Sequence, residues 1–195
     1  LIFLVNVLLT SAIPTFKMGS FYICPTPIGN LNDISSRLNQ VLSDVDIIYA
    51  EDTRVAKKLL SHLNLKKEVY SYFKGNEVKK IDEIIHFLND GKSIAMISDA
   101  GTPLISDPGS MLVKELVKKN VNIISIPGPS SVLVALTLSG FDTDKFTFLG
   151  FIPRSGKERT KFFDDVRDTE LTLICFTSPK RLKKDLEEFV SKNIE

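Results

Sequence analysis

Strand-like and helical patterns alternate along most of this chain. Each of five short apolar runs precedes or follows a segment whose apolar residues recur at helical spacing, as Ile81, Ile84 and Leu88 do. The five runs lie at residues 21–24, 46–50, 68–72, 94–97 and 121–126. Strands joined by helices pair in parallel through right-handed crossovers. The pattern therefore predicts an α/β fold with a mainly parallel five-stranded sheet and helices on both faces.

The character of the sequence changes near residues 128–140. An aromatic run at 146–152 and a charged segment at 154–161 come next, and then a helix, a strand at 171–176 and a final helix. We therefore predict an N-terminal α/β domain at 18–128 and a C-terminal α/β domain at 129–195. Because two strands are few for a stable sheet, we expect the second domain to be incomplete and the chain to be truncated.

The first 17 residues differ in character from the remainder of the chain. Residues 1–9 are apolar apart from Asn6, but the run is too short to cross a membrane and lacks the positive start of a signal peptide. Met18 comes directly before the first strand-like run. We expect Met18 to be the natural start and residues 1–17 to be an upstream tail.

The composition excludes several kinds of site. A net charge of +1 gives no global basic field for nucleic acid, although a local patch stays possible. Cys24 and Cys175 lie in apolar strand-like runs, which predicts buried free thiols, not a zinc site or a disulfide framework. His62 and His86 lie inside helical patterns. We predict no metal site.

Four loops follow the carboxyl ends of the predicted strands, at residues 25–30, 50–54, 99–109 and 127–131. Because parallel strands end at one edge of the sheet, these loops should lie close together where such folds bind ligands. The third loop is longer than the two to six residues that usually join such elements. In it, Asp99, Gly101 and Pro103 favour ligand contact. One glycine in the first loop does not make a dinucleotide-binding motif.

Several residues in these loops have two interpretations. Asp107 and Pro108 are typical of a helix N-cap and first helical position. Residues 127–130 suit a strand-to-helix turn and a ligand contact equally well. Arg54 can pair with Asp52 or bind phosphate. Residues 154–161 carry four cations and one anion, which indicates a solvated mobile loop or a phosphate-contacting one.

The loop motifs together resemble a known family. In order, they are PTPIGNL at 25–31, AEDTR at 50–54, SDAGTPLISDPG at 98–109, PGPS at 127–130 and GFIP at 150–153. This combination resembles the tetrapyrrole methylase superfamily, and within it the enzymes that methylate small-subunit ribosomal RNA.

The resemblance implies an S-adenosylmethionine-dependent enzyme of two α/β domains, with the cofactor in the cleft between them. It implies 2′-O-methylation of a cytidine in small-subunit rRNA, by a homodimer in the cytoplasm without membrane association. The residues it assigns to cofactor binding are Pro25, Gly29, Asp99, Ala100, Gly101, Thr102, Pro103, Pro127, Gly128, Pro129 and Ser130.

The chemistry requires alignment of a ribose hydroxyl with an electrophilic methyl group and a base for the hydroxyl proton. Asp52, Glu77 and Asp99 are candidates for the base, and our hypothesis is that Asp52 or Glu77 faces the substrate as the catalytic residue. The predicted substrate-binding residues are Arg54, Asn76, Arg154 and Lys157.

Two segments depart from the family pattern. Residues 73–75 replace a His-rich turn, and the sequence TSPKR at 177–181 replaces Glu-Ser-Pro-His-Arg. Two alternatives to rRNA methylation therefore stay open. One is a methylase of a corrin precursor from the same superfamily, and the other is a non-catalytic remnant that binds cofactor or RNA.

Overall fold

A parallel five-stranded sheet forms the first part of the structure. The computed structural model describes residues 18–192 and 194, so the predicted upstream tail at 1–17 lies outside the described residues. The strands are β1 (Phe21–Cys24), β2 (Ile47–Ala50), β3 (Val69–Ser71), β4 (Ile94–Ile97) and β5 (Ile123–Ser125). They pair in parallel in the order β3-β2-β4-β1-β5. The predicted fold class is confirmed.

Helices cover both faces of this sheet because successive strand side chains point to opposite sides. The helices are α1 (Ser36–Asp44), α2 (Thr53–His62), α3 (Glu77–Asn89) and α4 (Ser110–Lys118). On one face Tyr49 and Met96 pack with buried residues of α3 and α4. On the other, Ile48 and Ile97 pack with buried residues of α1 and α2. Two cores of this kind hold the carboxyl ends of the strands in a fixed register.

The predicted start of α4 is wrong, and α1 begins at a serine cap. Residues 31–33 form a short 3₁₀ turn before α1, and the Ser35 hydroxyl accepts a 3.0 Å bond from the Leu38 amide. Asp107 does not cap α4, which begins after Gly109. Gly109 has a φ of 124°, a conformation that favours glycine. A Cβ there would lie 2.5 Å from Leu104 Cδ2, so packing against the preceding loop places the helix start.

A second, smaller sheet follows α5 (Ser131–Ser139). It pairs β6 (Phe146–Phe151) with β7 (Thr172–Phe176) in parallel, and α6 (Gly156–Arg167) and α7 (Leu182–Ser191) complete this part. The division into domains at residue 128 stays a prediction.

Cys24 and both histidines lie where their sequence patterns predict, whereas Cys175 is less buried than predicted. Cys24 is a buried free thiol whose pKa burial raises to about 12, and Cys175 is a half-buried free thiol. His62 and His86 lie in α2 and α3. Within residues 18–192 no cluster of metal-ligating side chains occurs, and no helix is long and apolar enough to cross a membrane.

Candidate functional site

Three of the predicted loops meet at the carboxyl edge of the five-stranded sheet. We call them the β1 loop (25–30), the β4 loop (98–109) and the β5 loop (127–131). Thr26 and Gly101 join the first two through reciprocal backbone hydrogen bonds of 2.9 Å. The Thr102 hydroxyl donates a 2.9 Å bond to the Pro129 carbonyl and so joins the β5 loop. The three loops therefore form one connected wall.

Glycines permit this close approach. A Cβ on Gly128 would lie 2.9 Å from Pro25 Cβ, closer than side-chain atoms normally pack. A Cβ on Gly101 would lie 3.4 Å from Ile28 Cγ2, and Gly101 has a φ of 81°. Any larger residue at position 128 must therefore separate the β1 and β5 loops.

The β4 loop is held in an unusual conformation. The Thr26 hydroxyl donates to the Ser98 carbonyl, and the Ser98 hydroxyl donates to the Gly101 carbonyl, both at 3.0 Å. Leu104 and Ser106 have φ values of 75° and 69°, which side chains other than glycine rarely adopt. Such strained positions concentrate at binding sites and switch regions.

A cleft of about 190 Å³ separates this wall from the second sheet. We call it the loop cleft. It is lined by Ala100, Gly101, Thr102, Ile105, Ser106, Asp107, Ser130, Ser131, Val132, Phe151 and Phe176. The last two, at the carboxyl ends of β6 and β7, pack edge to face with centroids 5.3 Å apart. The structure thus places four of the predicted cofactor residues in one cleft: Ala100, Gly101, Thr102 and Ser130.

A larger cavity of about 540 Å³ lies elsewhere, beside the second sheet. We call it the rear cavity. Its walls include Phe162 of α6 and Phe189 of α7, and no residue of the β1, β4 or β5 loop. Because the loop cleft combines polar loops with apolar walls at a sheet edge, it is the better candidate site.

Asp99 and Asp52 organise the β2 end of this edge. Asp99 is exposed, and its carboxylate accepts a 3.1 Å bond from the Asp52 amide. Asp52 caps α2 and pairs with Arg54 at 2.6 Å. Hydrogen bonds from the Arg54 guanidinium and amide lower the pKa of Asp52. The predicted ion pair between Asp52 and Arg54 is therefore present, and it opposes proton acceptance by Asp52.

Glu77 and Asn76 hold the turn before α3. The Asn76 amide group donates to the Ser71 carbonyl at 3.1 Å and its oxygen accepts from the Phe73 amide at 2.9 Å. The Glu77 carboxylate accepts a 3.2 Å bond from the Gly109 amide. Both side chains thus have structural partners, and their predicted substrate and catalytic roles stay predictions.

The charged segment at 154–161 divides into two parts. Arg154 and Lys157 are exposed at the start of α6, where phosphate can reach them. Arg159 is buried, and its guanidinium pairs with Asp185 at 2.8 Å and Glu188 at 2.6 Å. The prediction of a loop at 154–161 is wrong from Gly156 onward, because those residues form the first part of α6. Solvation is wrong at Arg159, because its partners lie on α7.

Asp185 is the buried centre of an ion cluster, which we define as Arg159, Arg181, Asp185 and Glu188. Burial disfavours ionised Asp185, but hydrogen bonds from Thr177, Arg159 and Arg181 outweigh it and lower the pKa of Asp185. Arg159 and Arg181 also donate to the carbonyls of Pro153 and Ile152 at 2.8 and 2.6 Å. The cluster therefore fixes the loops that follow the cleft-lining ends of β6 and β7.

Four residues of the loop cleft are not among the predicted site residues. Ser106, Asp107 and Phe151 line the cleft and lie within the motifs at 98–109 and 150–153, although the sequence pattern assigns only a capping role, to Asp107. Phe176 also lines the cleft and lies outside those motifs.

Comparison with known proteins identifies the family. The Tetrapyrrole (Corrin/Porphyrin) Methylases match residues 20–193. The chain belongs to the tetrapyrrole methylase family. Within this family it is 42% identical over 173 residues to ribosomal RNA small subunit methyltransferase I of Thermotoga maritima, covering 89% of the chain and 78% of that protein.

This chain spans about three fifths of the length of two further relatives. The protein of the same name from Halalkalibacterium halodurans is 41% identical to this chain. The match covers 88% of this chain and 60% of the Halalkalibacterium protein. The Vibrio cholerae protein of the same name is 42% identical to this chain. The match covers 87% of this chain and 59% of the Vibrio protein.

Solved tetrapyrrole methylase structures share the fold. The cobalt precorrin-4 methyltransferase superposes with a TM-score of 0.68 at 18% identity, covering 94% of this chain and 79% of that one. The native uroporphyrin III C-methyltransferase of Thermus thermophilus gives 0.63 at 15% identity, covering 91% and 78%.

Proposed function

We propose that the chain is an S-adenosylmethionine-dependent methyltransferase that methylates the 2′ hydroxyl of a cytidine in small-subunit rRNA. The observation that carries this proposal is the wall of the β1, β4 and β5 loops, because the family motifs coincide with its contacts. Relatives at about 40% identity that are named for rRNA methylation support the substrate. We propose that the enzyme is cytoplasmic, like its ribosomal substrate, and acts as a homodimer.

The residues of the loop cleft fit this cofactor. Ile105, Val132 and the two aromatic rings offer apolar surface for the adenine and the methionine chain, and Asp107 offers a carboxylate to the cationic sulfonium. When bound, the cofactor supplies the electrophilic methyl group. The chain's own residues position the ribose, shield it from water and accept its proton.

We expect methyl transfer to small ribosomal subunits that lack the modification. Incubation with cofactor tritiated on the methyl group should label the rRNA, and nuclease digestion should place the label on a cytidine ribose. Labelling of a tetrapyrrole precursor in place of rRNA would support the corrin alternative. The cobalt precorrin-4 methyltransferase, which has the same fold, is the reason to test this substrate. Cofactor binding without transfer to either substrate would support the non-catalytic alternative.

Glu77 allows a sharp test of positioning against proton acceptance. Glutamine can still accept the bond from the Gly109 amide but cannot accept a proton from a hydroxyl group. We therefore expect Glu77→Gln to keep most of the methylation rate and Glu77→Ala to lose about tenfold, the worth of one such bond. Equal losses in both variants would instead support the catalytic role predicted from the sequence.

A further inference from the structure

A second, very small cavity adjoins the loop cleft through Asp107, which lines both. We call it the inner cavity. Its volume is about 10 Å³, close to what one water molecule needs. Its lining residues include Glu51, Tyr72 and Asp107, whose side chains carry polar groups. The cavity thus connects the ends of β2 and β3 to the β4 loop.

The Tyr72 hydroxyl indicates that a water molecule is bound at the inner cavity. Tyr72 is 1% exposed, and its hydroxyl has no hydrogen-bond partner of normal geometry among the described residues. Burial raises the pKa of Tyr72, and so do the charge and a weak hydrogen-bond interaction of the nearby Glu77 carboxylate, so the hydroxyl keeps its proton and can donate it. A buried polar atom without a partner commonly marks an ordered water.

The electrostatic surroundings favour protons on both carboxyl groups of the inner cavity. Burial, and then the charges of Asp107, Asp99 and Asp52, raise the pKa of Glu51. Burial and Asp99 raise the pKa of Asp107, against a smaller opposing effect of the Ser98 hydroxyl. Arg54, in the first turn of α2, is already paired with Asp52.

We propose that Asp107 accepts the ribose hydroxyl proton during methyl transfer, and that Glu51 and one water held by Tyr72 carry this proton onward. The inference rests on the proposed function. As the ribose oxygen bonds to the methyl carbon, its proton passes to a carboxylate oxygen of Asp107. The electron pair of the broken methyl–sulfur bond stays on sulfur.

Position and charge distinguish Asp107 from the two catalytic candidates that the sequence favours. Among the residues that line the loop cleft, Asp107 carries the one carboxylate. Asp52 pairs with Arg54, and Glu77 accepts from the Gly109 amide. A base works best when its pKa lies near the working pH, which the surroundings of Asp107 favour.

Thermal unfolding of the ligand-free chain tests the proposed properties of Asp107 and Glu51 without any activity measurement. A carboxyl group whose pKa is raised by folding adds stability below its unfolded pKa and loses that contribution as pH rises through its folded pKa. At neutral pH the ionised Asp107 therefore lowers the free energy of unfolding. We expect Asp107→Asn and Glu51→Gln to raise Tm by roughly 1–3 °C at neutral pH, and this gain to vanish below about pH 4. The control Asp90→Asn, at the exposed end of α3, should leave Tm unchanged.

Transfer kinetics test the catalytic role itself. We expect Asp107→Asn to lower kcat by about 100-fold or more and to flatten the acid limb of the pH profile. Its affinity for S-adenosylhomocysteine, measured by calorimetry, should stay within about threefold of the unmodified chain, because this product lacks the sulfonium charge that the Asp107 carboxylate would face and asparagine keeps the size of the side chain. Tyr72→Phe should lower kcat less, since the carboxylates remain.

The outcomes separate this inference from the proposed function. A kcat for Asp107→Asn within twofold of the unmodified chain overturns the inference and leaves the function standing. If the unmodified chain transfers no methyl group, the proposed function fails. In that case, a higher Tm for Asp107→Asn would still support a raised pKa for Asp107 in the folded chain. An unchanged Tm would overturn this part of the inference as well.

Discussion

The Gly128→Val variant is expected to bind S-adenosylmethionine about 10- to 100-fold more weakly than the unmodified chain, the equivalent of a 1–3 kcal/mol overpacking cost. A Cβ on Gly128 would lie 2.9 Å from Pro25 Cβ and 3.2 Å from its Cγ, and a buried proline ring cannot turn aside. The β1 and β5 loops must then separate. Because Gly128 itself is exposed, the sheet beneath should stay folded.

Gly140→Ala is the matched control for this variant. Gly140 has a φ of 74°, so alanine there is strained. Among the residues that the structure describes, no atom beyond its chain neighbours lies within 4 Å of its Cβ position, and it is outside the loop cleft. We expect it to lower Tm and to leave cofactor affinity unchanged, the opposite of Gly128→Val. Titration calorimetry and circular dichroism measure the two effects. Equal affinity in both variants would contradict the assignment of the loop wall to cofactor binding.

The Asp185→Ala variant is expected to lose about 3–5 kcal/mol of unfolding free energy, as when one partner of a buried ion pair is removed. Asp185 is 1% exposed, and Arg159, its neighbour in the ion cluster, is 6% exposed. Without the carboxylate, two guanidinium groups face one another with Glu188 as the remaining anion. Urea unfolding followed by fluorescence or circular dichroism measures the loss.

A surface pair provides the control for the ion cluster. Asp165 lies 3.9 Å from Lys161 and is 65% exposed, so Asp165→Ala should cost less than about 1 kcal/mol. Because folding lowers the pKa of Asp185, its contribution is present above the unfolded value near pH 4 and disappears as pH falls through the folded one. A loss as small as that of Asp165→Ala, or one independent of pH, would show that the cluster does not hold the second sheet's loops.

The sheet was accessible from the sequence because its signals are local. The apolar runs at 21–24 and 94–97 became β1 and β4 with the same bounds. Parallel pairing then followed from the helices between the strands. The meeting of the β1, β4 and β5 loops required only that all three leave the same sheet edge.

The features that the sequence did not reveal depend on distant contacts. The N-cap of α4 is Gly109 and not Asp107, because Gly109 packs against Leu104 and Met96. Arg159 looks like a surface cation until its α7 partners, Asp185 and Glu188, are known. Asp107 is a further example: the local sequence predicts a helix cap, whereas the fold places this residue in the lining of the loop cleft.

Photochemical crosslinking tests most directly the claim that the loop cleft binds the cofactor. The unmodified chain is irradiated with tritiated S-adenosylmethionine, and the labelled peptides are mapped. We predict label in peptides that contain the β4 loop, the β5 loop or Phe151, and loss of that label in Gly128→Val. Label confined to peptides of the rear cavity, with Phe162 and Phe189, would contradict this assignment.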